Sequence, residues 1–319
     1  MVDVIKQLES NIIVPVVVFN NIEDAIPVAK ALYDGGIYCI EVTYRSDIAS
    51  QCIAMIRHEM PQMLVGAGTI LNIEQLNQAI QADAHFIVTP GMNEKIIKEA
   101  QNKNIPIIPG VSSASDCDKA IEYNITYVKF FPSEQLGGLS MIKALSGPYR
   151  TLKFMPTGGI SFEHLSDYLK EKFIFAIGGS WLVKQDWLDN KNYSLIKEEA
   201  RKTMIKALDL EFSHVMVNNA NLNPSKKDKL TLFDIVGHSS SNDVVIFDGK
   251  TIIEHSTLAS SKHNQSIVMI TSRINYVHSH LLRVGVKIHT EFDFIYPTQL
   301  KRIIINNYLD QYDVHIMSK

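Results

Sequence analysis

Cysteine is scarce in this 319-residue chain, with three residues, Cys39, Cys52 and Cys117. Their number is odd and none shares CxxC spacing, which excludes a disulfide framework and a thiolate zinc site. They read as free thiols of a reducing, cytoplasmic setting. No excess of one charge is present, the net charge being −3, so nothing predicts nucleic acid or an anionic membrane as a partner. The amino terminus, MVDVIKQLES, carries Asp3 and Glu9 and no long apolar run, and reads as neither signal peptide nor membrane span. A Gly/Ser-rich linker is missing as well, so two domains in this chain are expected to be packed together instead of loosely tethered. What remains is the composition of an ordinary globular protein, 46% hydrophobic and 20% charged, and long enough for more than one core.

From residue 12 to residue 208, short apolar runs alternate with amphipathic stretches. The runs are IIVPVVVF (12–19), IYCIEVTY (37–44), MLVGAG (63–68), FIVTP (86–90), PIIPG (106–110), TYVKFFP (126–132), LKFMPTG (152–158) and FIFAIGG (173–179). Helices are expected between them, for example over 22–33, 47–59, 73–82, 93–103 and 161–171. The runs are continuously apolar, as in a parallel sheet covered on both faces. Eight even β-then-α units over about 200 residues predict an α/β fold, a (βα)8 TIM barrel; a doubly wound open sheet is the rival. Polar residues, Gly and Pro cluster where the runs end, and barrel enzymes place their chemistry at those ends.

Composition shifts near residue 211. Eight of the 11 histidines lie beyond it, but only three of the 16 glycines. Strands are expected at SHVMVN, DVVIFD, TIIEHS, SIVMIT, VKIHTEFDFI, LKRIIINNYL and YDVHIMS, with helices over 225–236 and 274–285. This is a β-α-β-β pattern used twice. The organisation is therefore a barrel over 1–210 followed by a smaller α+β domain over 211–319.

Lys129 lies inside a strand, flanked by Val128, Phe130 and Phe131. Burial disfavours the charged ammonium and leaves a nucleophilic amine, which condenses with a ketone to a Schiff base. The alternative is a lysine that snorkels to a strand end or pairs with an acid. Glu41, in IEVTYR, occupies a comparable place, and a partly desolvated carboxylate suits proton transfer during imine chemistry. It can equally form a buried salt bridge to Arg45 or Lys129. Arg45 has the fork to clamp a substrate carboxylate, or is a surface arginine. Gly158 and Gly159 follow the seventh strand, and Gly178, Gly179 and Ser180 the eighth, where barrels often bind phosphate. GAGTIL (66–71) begins like a dinucleotide fingerprint, but Leu71 occupies the third glycine position, so no nucleotide cofactor is expected.

EVTYRS, GAGT, TPG, VKFFPSE, PTGGI and GGSWLV, in this order and spacing, resemble the 2-keto-3-deoxy-6-phosphogluconate (KDPG) / 4-hydroxy-2-oxoglutarate (KHG) aldolase family over about residues 5–208. The resemblance implies a lyase that releases pyruvate through a Schiff base on Lys129, with Glu41 as general acid/base. It places Arg45, Thr69, Pro90, Phe131 and Thr157 around the pyruvate portion, and Gly158, Gly159, Gly178, Gly179 and Ser180 on the phosphate. It further implies a homotrimer without metal or other cofactor, acting on a phosphorylated keto acid. Ser133, Thr89 and Tyr44 depart from the family's common Ala, Ser and Leu, and leave the substrate epimer open. A galactonate-type relative also uses FPS, whereas PTGGI and GGSWL favour the gluconate type.

The second domain is similar to the vicinal-oxygen-chelate (glyoxalase-like) fold, and is expected to be a ligand-binding or assembly module. His214 and His315 match ligand positions of metal-binding members, and Glu254 or His255 is a third candidate. Ser266 stands where another histidine belongs, with His263 three residues earlier, so no metal is expected.

Overall fold

The computed structural model describes residues 4–218, 244–247, 251–256, 265–283, 286–292, 300–309 and 312–319. Its packing divides the chain between Ala207 and Leu208 into two compact units.

The first unit contains strands β1 (Ile13–Val17), β2 (Cys39–Thr43), β3 (Leu64–Gly68), β4 (Phe86–Val88), β5 (Ile107–Ile108), β6 (Gly110–Val111), β7 (Tyr127–Phe130), β8 (Lys153–Pro156) and β9 (Ile177–Gly179). All their pairings are parallel, in the orders β5-β4-β3-β2-β1-β9 and β6-β7-β8. Bridges Phe154–Ile174 and Thr157–Gly178 link β8 to the β9 segment. The ring therefore closes as a TIM-like barrel, where a doubly wound sheet would leave two edges.

The expected fifth strand is present in two pieces, because Pro109 interrupts it and proline has no N–H for the ladder. The Pro109 carbonyl still accepts the Lys129 N–H at 2.9 Å. Gly110 tolerates no side chain, since a Cβ there would lie 2.1 Å from the Pro90 carbonyl oxygen.

Helices α1 (Val4–Asn11), α2 (Ala25–Asp34), α3 (Ala49–Glu59), α4 (Ile73–Gln81), α5 (Glu94–Asn102), α6 (Ala114–Glu122), α7 (Gly138–Ser146), α8 (Leu165–Leu169), α9 (Gln185–Asp189) and α10 (Tyr193–Ala207) complete the unit. Asn72, Asn93 and Ser113 cap α4, α5 and α6 by accepting a first-turn N–H through the side chain. The core is aliphatic, with Ile13, Val14, Ile40, Val42, Val65, Ala67, Ile87 and Val128 fully buried.

Among the described residues of the second unit, seven strands form one mixed sheet. They are β10 (Glu211–Asn218), β11 (Val244–Phe247), β12 (Thr251–Ser256), β13 (Gln265–Thr271), β14 (His289–Phe292), β15 (Leu300–Leu309) and β16 (Tyr312–Ser318). The order is β11-β12-β10-β13-β16-β15-β14, and α11 (Ile274–Arg283) follows β13. Each half begins with a strand at the centre of the sheet, β10 and β13, and these two pair antiparallel. The helix expected over 225–236 lies outside the described residues.

The unit begins three residues before the expected boundary, because the segment after α10 is bonded into its fold. Leu208 O accepts from Thr271 Oγ1 at 2.6 Å. Asp209 Oδ2 accepts from Ser272 Oγ at 2.6 Å and from Lys319 Nζ at 3.0 Å.

Candidate active site

Lys129 on β7 and Glu41 on β2 point into the same interior. The Lys129 ammonium nitrogen lies 3.1 Å from Glu41 Oε1, with 6% and 0% of the two side chains exposed. Of the two pairings open to Glu41, the structure contains the one with lysine. Arg45 is exposed in the turn after β2. Glu41 Oε2 is buried and has no hydrogen-bond partner among the described residues. A buried carboxylate oxygen without a donor is costly unless it serves something.

Gly68 makes room for this carboxylate. It ends β3, and a Cβ at Gly68 would sit 2.2 Å from Glu41 Oε1. Sequence reasoning missed Gly68, although GAGT contains it, because its role is to leave a neighbouring strand's side chain its space.

The other residues that the sequence singles out lie at strand ends. Thr69, just past β3, has φ of 58°, a left-handed backbone rare for a β-branched residue and a mark of a constrained site. Pro90 follows β4, and Thr89 beside it donates to Gly91 O at 2.7 Å. The Phe131 ring lies 5.4 Å from the Lys129 nitrogen. Thr157, 5% exposed, follows β8 and bridges to Gly178. Gly158 and Gly159 have φ of 99° and 76°, so the turn after β8 requires glycine.

Gly178 and Gly179 have a packing cause for their identity. Cβ atoms there would lie 2.2 Å from Thr157 Oγ1 and 2.4 Å from the Trp181 ring. Both are strand residues, and the exposed Ser180 follows them. A cavity of about 650 Å³ is lined by Ile70, Leu71, Thr89, Pro90 and neighbouring residues up to Lys95.

Burial pushes the Tyr44 phenol up to about 12. The thiols of Cys52 and Cys117 are also pushed up, to about 11 and about 12, by burial first and nearby aspartates second. Inert thiols of this kind are structural.

The two histidine candidates of the second unit lie on strands that do not pair with each other. His214 on β10 and His315 on β16 both register with Val268 on β13, which separates them by two strand spacings, about 10 Å. Glu254 and His255 lie on β12, on the far side of β10. His315 is buried, with the Arg302 guanidinium 3.4 Å from its Nδ1, a neighbour that disfavours a bound cation. His263 lies outside the described residues. Among the described residues no three His, Cys, Asp or Glu side chains form a metal-binding group. Among them, too, no helix is long and apolar enough to cross a membrane.

A closed parallel barrel with a buried amine bonded to a carboxylate at the catalytic end of its strands has the architecture of an enzyme using an amine nucleophile. The comparisons with known proteins define the family. Residues 4–198 match the aldolase family described as KDPG and KHG aldolase, and the chain belongs to that family. The 2-dehydro-3-deoxy-phosphogluconate aldolase of Treponema pallidum is 41% identical over 204 residues, covering 64% of this chain and 97% of that protein. The KHG/KDPG aldolase of Escherichia coli K12 is 42% identical over 192 residues, 60% of this chain and 90% of that protein. Among solved structures, the KDPG aldolase of Legionella pneumophila, with pyruvate captured as a covalent carbinolamine, superimposes with a TM-score of 0.61 at 35% identity. That match covers 63% of this chain and 98% of the Legionella chain.

Proposed function

We propose that this protein is a Schiff-base aldolase that cleaves 2-dehydro-3-deoxy-6-phosphogluconate to pyruvate and glyceraldehyde 3-phosphate. The observation that carries the reading is the buried Lys129–Glu41 pair, 3.1 Å apart, in a chain of this family. The unprotonated Lys129 amine attacks the C2 carbonyl, and the carbinolamine loses water to give a protonated imine. Loss of the C4 hydroxyl proton then breaks the C3–C4 bond, and its electrons flow into the imine to form an enamine. The aldehyde leaves, C3 is protonated, and water returns the lysine and releases pyruvate. Glu41 suits each proton transfer, because Oε1 holds the nitrogen while Oε2 has no other partner.

Arg45, Thr69, Pro90, Phe131 and Thr157 take the pyruvate portion in this reading. The left-handed turn at Gly158 and Gly159, with Gly178, Gly179 and Ser180, takes the phosphate. Backbone N–H groups suit that role, and left-handed glycine turns expose them. The same chemistry on 4-hydroxy-2-oxoglutarate or the galactonate epimer is the alternative within the family.

The second unit is read as a vicinal-oxygen-chelate-like module that binds a ligand or assists assembly without catalysing a reaction. Support comes from its strand order, two modules meeting through their first strands β10 and β13. A homotrimer in the cytoplasm completes the proposal, and sedimentation of the full chain tests the assembly.

Borohydride reduction with pyruvate tests the mechanism. It should fix a stable mass on Lys129, and Lys129→Ala should lose both labelling and turnover. Labelling at a different lysine would overturn the assignment.

A further inference from the structure

Three side chains next to the proposed phosphate turn form a network that the aldol chemistry does not use. Ser133 is fully buried and Tyr168, on α8, is 3% exposed. The Tyr168 hydroxyl donates to Glu134 Oε1. Ser133 Oγ lies 3.2 Å from that hydroxyl and, with the phenolic proton committed to Glu134, serves as a donor to it. Burial, and then Glu134 as acceptor, hold the phenol well above its ordinary range, so it remains a donor.

The backbone of the same segment carries the turn. Ser133 N–H donates to Thr157 O at 2.8 Å, and Glu134 N–H donates to Gly158 O at 3.1 Å. A Cβ on Gly159 would lie 2.7 Å from Glu134 Cβ and 2.9 Å from its Cγ. The methylene stem of Glu134 therefore supports the turn, while Tyr168 keeps the carboxylate.

We infer that Tyr168 is a positioning residue for phosphate recognition: by holding Glu134, it fixes the Thr157–Gly159 turn and keeps a negative charge away from the substrate's dianion. The inference rests on the proposal that this turn binds phosphate. Without the phenolic hydroxyl, Glu134 is free to rotate toward the turn, where it would repel the phosphate. The Ser133 hydroxyl supplies a second hold on Tyr168.

The test measures kcat and KM of the full-length protein with 2-dehydro-3-deoxy-6-phosphogluconate and with unphosphorylated 4-hydroxy-2-oxoglutarate. Tyr168→Phe should raise KM about tenfold for the phosphorylated substrate, the loss of one charge-assisted hydrogen bond, and leave both constants for the other unchanged. Tyr168→Phe combined with Glu134→Gln should recover most of that loss, which a purely structural role would not. Ser133→Ala, a milder change for use if Tyr168→Phe does not fold, should raise the same KM by a smaller factor.

Ser180→Asp separates the two levels of the argument. If it raises KM for the phosphorylated substrate and the Tyr168 and Ser133 variants do not, the turn binds phosphate without Tyr168's help and the inference fails alone. If Ser180→Asp affects both substrates equally, the phosphate reading fails and takes this inference with it. Equal losses for both substrates in Tyr168→Phe, with no recovery in the double variant, would leave Tyr168 a structural residue only.

Discussion

At the scale of single residues, the site depends on a carboxylate whose two oxygens have different surroundings. Glu41 Oε1 meets Lys129, and Oε2 has no partner among the described residues. Glu41→Gln keeps the shape and removes the group that can carry a proton, so kcat should fall by about 10²–10⁴. Wild-type kcat in this variant would assign the proton transfers to another group. Gly68→Ala approaches the same carboxylate from outside. Its new Cβ, 2.2 Å from Oε1, forces the carboxylate off the lysine. A displacement of this size should cost about 10² in kcat, with the far-ultraviolet circular dichroism unchanged. Wild-type turnover in Gly68→Ala would show that the carboxylate has room the structure does not contain.

At the scale of elements, the barrel's last joint is made by a short strand and isolated bridges. β9 is three residues long and pairs with β1, and Thr157 and Gly178 bridge it to the end of β8. Gly178→Ala would place a Cβ 2.2 Å from Thr157 Oγ1 at that joint. Overpacking of this kind should cost about 1–3 kcal/mol, read as a lower denaturation midpoint. Gly91→Ala is the matched control, because a Cβ there meets nothing within 4 Å, and it should shift stability by less than about 0.5 kcal/mol. Equal effects of the two substitutions would mean that the joint does not bear the closure.

At the scale of the molecule, the family match ends at residue 198, and both members of the Lys129–Glu41 pair lie in the first unit. Leu208 and Asp209 are bonded into the second unit through Thr271, Ser272 and Lys319. A chain ending at Ala207 therefore severs none of these bonds inside the barrel and should retain aldolase activity. A folded, assembled truncation with no turnover would mean that the second unit completes or gates the site. The imine serves as electron sink in the proposed mechanism, so EDTA should leave the full-length rate unchanged. Loss of activity restored by a divalent cation would reopen the question of His214, Glu254 and His315.

The sequence by itself determined where the barrel's strands run and the candidates for nucleophile and proton carrier. Strands covered on both faces must be continuously apolar, so a lysine in TYVKFF and a glutamate in IYCIEVTY are conspicuous. Helix ends were legible to within a few residues, since amphipathic stretches alternate evenly with the apolar runs. The tertiary structure decided what depends on neighbours distant in the chain. It split the fifth strand at Pro109, whose carbonyl still accepts from Lys129 N–H, and began the second unit at Leu208, where hydrogen bonds reach back from Thr271. It paired Glu41 with Lys129 in preference to Arg45, and gave Gly178 and Gly179 a packing reason that no turn signal reveals. It also joined Tyr168 to Glu134 across 34 positions. Periodicity is a property of a few consecutive residues. The space that Gly68 leaves for a carboxylate on the next strand, and the phenol that holds Glu134, exist only once the ring has closed.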